Sequence, residues 1–111
     1  MIRKSTMAAT IQAVLLATAA AASAASPADV CAALKLRASG DFANRQFNCH
    51  ARAMLNGTDV DQQCLDDAAA RFQRLMDVIG SRPGCPGSDV DGVMLDIEAV
   101  TKATADSFVN R

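Results

Sequence analysis

Four cysteines, one histidine and a run of acids are the residues of this 111-residue chain whose chemistry could go beyond solvation. Cys31, Cys49, Cys64 and Cys85 are separated by 17, 14 and 20 intervening residues. A cysteine zinc site is built on short knuckles of two to four intervening residues, and none is present. An even number of cysteines in a small exported chain reads instead as a disulfide framework. His50 follows Cys49, but covalent haem attachment needs two cysteines before the histidine. The plainer role for His50 is a helix-surface or capping residue. No acidic residue stands beside it in sequence and the serines fall at caps and turns, so no nucleophile–base set is expected and the chain reads as non-catalytic.

Residues 87–98 follow part of a calcium-loop pattern. Asp89, Asp91, Gly92 and Glu98 fall at its third, fifth, sixth and twelfth positions. Gly87 occupies the first position, where a carboxylate ligand is required. The expected role of these acids is therefore a negatively charged helix start, which the helix dipole favours. Weak calcium binding by Asp89, Asp91 and Glu98 is the alternative, and no other metal or cofactor is expected. Met54, Met76 and Met94 read as core filler rather than a copper site. Asp67 and Arg71 have the spacing of an ion pair on one solvated helix face.

Which elements position these residues begins with what is removed. Arg3 and Lys4 precede an uncharged run, Met7–Ala22, which ends in the small-residue pattern Ala22-Ser23-Ala24. These are the parts of a secretory signal peptide, with cleavage near Ala24 or Ala25. The run is short for a membrane span and rich in weakly apolar alanine. Residues 1–24 are thus a signal peptide and 26–111 a single domain. Loss of Arg3 and Lys4 takes the basic residues from 11 to 9 against 12 acidic ones, a formal charge of −3. That balance excludes a basic nucleic-acid footprint. The absence of Trp and Tyr argues against stacking platforms. A domain of this size with four Phe has a light core and needs staples.

Ser26-Pro27-Ala28-Asp29 opens a helix, with a serine cap, proline in the first turn and an early acid. We read it as one long helix through Gly40, stopped at Asn56-Gly57. Asp59-Val60-Asp61 restarts the chain. Leu65, Ala68, Ala69, Phe72, Leu75, Met76 and Ile79 then form a helical stripe, ended by Gly80 and Pro83-Gly84. Ser88 to Asp91 is read as a capping box. A third stripe follows in Val90, Val93, Met94, Ile97, Val100, Thr104 and Phe108, running almost to Arg111. No stretch alternates with a period of two, so the fold class is all-α: an antiparallel helical hairpin plus a third helix, a small three-helix bundle.

This hairpin decides the cysteine pairing. Cys31 and Cys49 lie about 27 Å apart along a continuous helix, beyond the roughly 7 Å a disulfide spans. Pairing 31–49 therefore fails, and 64–85 with it. Pairing 31–64 with 49–85 would join far ends to near ends. With the turn at residue 57 or 58, Cys49 and Cys64 lie about equally far from it, as do Cys31 and Cys85, and two antiparallel helices leave a turn at equal rates. Cys31 and Cys49 are also five whole turns apart, so both face the same partner helix. The expected pairs are Cys49–Cys64 and Cys31–Cys85.

The run Cys31-Ala-Ala-Leu-Lys35-Leu-Arg37, then Cys49-His50-Ala51-Arg52-Ala53, Gly57-Thr58-Asp59-Val60-Asp61, Cys64-Leu65 and Phe72 resembles a cysteine-containing helical repeat of exported Gram-negative bacterial proteins. The resemblance spans residues 31–85. Arg37 and Arg52 stand where that pattern carries lysine, and there is one copy where others have several. The resemblance implies a helical fold and an exported, periplasmic or secreted protein, and no activity. Two function classes follow: a structural or protein-interaction module with a protein partner, or a small-ligand binder taking an apolar molecule or calcium at 87–98. A continuous apolar cavity of ~300 Å³ or more would favour the ligand. An apolar patch outside a solid core would favour the partner.

Overall fold

The computed structural model describes residues 25–109. The expected signal peptide, 1–24, lies outside them. Three helices follow one another, α1 (Pro27–Asn56), α2 (Gln62–Gly80) and α3 (Val90–Val109), with no strand among the described residues. They form an all-α three-helix bundle.

Local chemistry sets each boundary of the hairpin. Ser26 Oγ accepts from the Asp29 amide at 3.1 Å and the Asp29 carboxylate accepts in return from the Ser26 amide, closing a capping box. α1 runs unbroken through Gly40, where an added Cβ would meet nothing within 4 Å. It stops at Gly57, whose φ of 63° is left-handed and suits glycine. The Thr58 amide donates to Ala53 O at 3.0 Å and that of Gly57 to Met54 O at 3.2 Å, which satisfies carbonyls left over at the helix end. Asp61 then caps α2 by accepting from the Gln63 amide.

The core lies between α1 and α2. Phe42 and Phe72 are fully buried and stack with ring centroids 4.9 Å apart and planes 14° from parallel. Ala38, Ala68, Met76 and Ile79 surround them. The bridges are Cys31–Cys85 and Cys49–Cys64, with Cα separations of 5.4 and 5.9 Å, and no cysteine is free. The equal-height argument thus holds. Near the outer bridge, Gly84 has φ 74° and its missing Cβ would lie 3.1 Å from Pro27 Cβ, so the α2–α3 loop passes close over the start of α1.

α3 corrects the sequence reading in three respects. Its cap is Asp89, whose carboxylate accepts from the Gly92 amide at 3.0 Å, while the Ser88 hydroxyl is taken by the Lys35 ammonium. Its buried face is Thr101 and Ala105, flanked by half-buried Val90, Val93, Met94 and Ile97. Val100 and Phe108, placed on the apolar stripe, are 62% and 64% exposed. The physical reason is a partner distant in sequence: the Thr101 hydroxyl donates to Gln46 Oε1 at 2.7 Å, so a polar residue is buried without an unmade hydrogen bond. Lys35 also donates to Pro86 O at 2.7 Å. Lys35 meets residues 86–88 and Gln46 meets Thr101, so α3 runs parallel to α1 and antiparallel to α2.

Two smaller readings also change. Met76 is core and Met94 half-buried, but Met54 is 44% exposed. Arg71 does not pair with Asp67. Its Nε reaches across to the Asp41 carboxylate of α1 at 3.0 Å, which Arg45 also reaches at 3.1 Å, and Asp67 accepts from Gln63 Nε2 instead.

Candidate functional site

The cysteines hold the scaffold rather than a ligand. Each bridge joins α1 to α2 or to the loop just beyond it, at opposite ends of the hairpin. Two disulfides fit an oxidising compartment. No described helix is long and apolar enough to cross a membrane.

The three acids of the calcium pattern are not gathered into a loop. Asp89 is spent on the helix cap, and from Val90 onward the chain is helical, so Asp91 and Glu98 stand two turns apart on one rod. Among the described residues no group of three His, Cys, Asp or Glu side chains is placed to hold a metal ion.

Two surface features bear most on function. The first is an apolar face made by α1 and α3. Phe42 and Cys49 mark the side of α1 turned to α2, and at 100° per residue Leu36, Phe47 and Met54 point well over a third of a turn away from it. Leu36 is 72% exposed, and Phe47 and Met54 are only partly covered. On α3, Val100 lies on the flank that continues this strip, beside half-buried Val93 and Thr104. Gly40 and half-buried Ala43 fall among the large residues on α1.

The second feature is a cleft of about 360 Å³ on the other flank of α3, between it and the first half of α2. α1 forms the floor with Gln46 and His50, α2 and the turn before it supply Val60, Leu65, Asp66 and Ala69, and α3 supplies Glu98, Thr101 and Lys102. His50 and Glu98, singled out separately in the sequence, therefore meet in one concavity. His50 is half-buried there. The floor residues Gln46 and Thr101 escaped the sequence reading. The one local signal for Gln46 was its position four residues after Phe42 and three before Cys49, a core-facing register occupied by a polar side chain.

Asp41 is the titratable group with the most organised surroundings. Partial burial works to raise its pKa, but the hydrogen bonds from Arg71 and Arg45, with their charge, outweigh this and hold the carboxyl below its ordinary value. It ties α1 to α2 on the outer surface and belongs to neither feature.

Comparison with family models, curated proteins and solved structures returns no match for this chain. Its function must therefore be argued from its own surface.

Proposed function

We propose that this chain is an exported, non-catalytic module that acts by protein–protein contact through the face shared by α1 and α3. The signal-peptide pattern of residues 1–24 and the two disulfides support export to the periplasm or the medium. The observation that carries the contact reading is the strip of Leu36, Phe47, Met54 and Val100, left in water beside a core that is already solid. Small domains seldom leave such side chains together on one face without a partner. The partner that fits such a face is an amphipathic helix laid along it with its apolar side inward. The similarity of residues 31–85 to a helical repeat of exported proteins supports the helical fold and the compartment only.

Site-specific photo-crosslinking in the native compartment tests this. A photoreactive side chain at Phe47 or Val100 is expected to trap a discrete protein adduct. The same probe at Arg74, exposed on the outer face of α2, is expected to trap none. Equal labelling at all three positions, or none at any, would overturn the reading. The mass of the adduct separates a foreign helix from a second copy of this chain.

A further inference from the structure

The cleft beside α3 holds polar groups that the fold does not use. Gln46 is only 2% exposed, as is Thr101. The Thr101 hydroxyl satisfies Gln46 Oε1, and the other polar atom of that amide, Nε2, has no hydrogen-bond partner among the described residues. It is not sealed away either, since no fully buried side-chain nitrogen or oxygen among the described residues lacks a partner. Gln46 lines the cleft, so the opening it sees is the cleft. A nine-tenths-buried side chain thus offers a hydrogen-bond donor to a concavity.

The walls select what could accept it. Leu65, Ala69 and Val60 give one apolar side. At the rim stand two carboxylates, Asp66 and Glu98. Among the described residues Asp66 accepts only from Gln62 Nε2 at 3.0 Å. Glu98 is half-buried and its carboxylate enters none of the ion pairs of the described structure. The one ammonium at the rim, Lys102, pairs with Asp106 at 2.8 Å, and the two carboxylates of the cleft outnumber it. The cleft is therefore a donor at its floor, apolar on one wall and anionic at its mouth.

We propose that this cleft binds a small amino-amide: a primary ammonium group held at Glu98 and Asp66, a carbonyl oxygen accepting from Gln46 Nε2, and a short aliphatic side chain against Leu65 and Ala69. A free amino-acid amide and the amino terminus of a peptide share this chemistry. The site is on the flank of α3 opposite the apolar strip and stands or falls independently of it.

The test is an NMR titration of the disulfide-bonded protein with leucinamide, following backbone amides. Shifts are expected at Gln46, Leu65, Ala69 and Thr101, with a Kd roughly in the low millimolar range for so small a ligand. N-acetyl-leucinamide, which lacks the charge, should bind at least about five-fold more weakly, as should leucinamide to the Glu98→Gln variant. Glu98 is not part of the core, so that variant is expected to fold, and an unchanged melting point checks it. Tighter binding of leucyl-glycinamide than of leucinamide would assign the site to peptide amino termini, and equal binding to free amides. No shifts up to about 20 mM, shifts elsewhere, or equal affinity for the acetylated compound would overturn the proposal.

Discussion

The two interfaces that α1 makes are built on different principles. Against α2 it has two disulfides, a stacked Phe pair and a cross-helix ion pair at Asp41–Arg71. Against α3 the described contacts are one buried hydrogen bond, a lysine tether to the preceding loop, and half-buried aliphatics. The first interface is held covalently and by area. The second is held by half-buried aliphatics and one polar pair that sets register. A polar pair in an apolar seam adds little net stability, but sliding α3 by one position would leave the Gln46 amide oxygen buried and unpaired. The hairpin is thus a frame, and α3 is a removable part whose two flanks carry the apolar strip and the cleft.

The largest effect that could break this contrast is reduction. Loop-closure entropy assigns about 3 kcal/mol to the inner bridge and slightly more to the outer one, comparable with the whole stability of a domain this size. Full reduction is expected to abolish the far-UV helical signal and the cooperative melt. A reduced protein with an unchanged melting point would show that packing alone holds the hairpin. Next in size, Phe42→Ala or Phe72→Ala in the oxidised protein should cost about 3–5 kcal/mol in denaturant unfolding, as for a fully buried aromatic. The double variant should cost less than the sum, because the rings touch. By contrast, Val100→Ala should stay within about 0.5 kcal/mol, as for an exposed position.

Gln46→Ala sharpens the comparison from the α3 side. It removes the register pair while Thr101 keeps its back-bond to Glu98 O at 3.1 Å, so a loss of about 1–2 kcal/mol is expected. Hydrogen exchange should show the loss concentrated in α3, and a loss spread evenly over all helices would contradict the division. The smallest effect is electrostatic. The Asp41 pKa is lowered in the folded state, so the pair contributes fully above the ordinary carboxylate range, and its contribution falls away as pH drops through the folded value. Asp41 and its arginines are well exposed, so only a few tenths of a kcal/mol are at stake. Asp41→Asn should flatten the acid limb of a stability–pH curve by that amount and leave it unchanged at neutral pH only if the pair contributes nothing.

What could be read from the sequence follows the same division. The hairpin was legible because its determinants are local or arithmetical: the Ser26 cap, Gly57, the stripe from Leu65 to Ile79, and cysteines at matched distances from a turn. Helix geometry turns such spacings into contacts without further knowledge. α3 was half legible. Its existence followed from its periodicity, and Val90, Val93, Met94 and Ile97 of its stripe pack on the core, but its most buried position did not, since hydrophobicity favours Val100 while the structure buries Thr101. What reverses that preference is Gln46, 55 residues away, and no local pattern records it. Arg71 misled for the same reason, because Asp67 is its neighbour in sequence and Asp41 its neighbour in space. His50 and Glu98 were each noticed alone, but the cleft that joins them exists only once three helices are placed.

Native-state hydrogen exchange of the oxidised protein, resolved helix by helix, tests the central division most directly. The account predicts that α3 opens in a step of lower free energy than α1 and α2, which exchange together only on global unfolding. Equal protection of all three helices, lost in one transition, would contradict it.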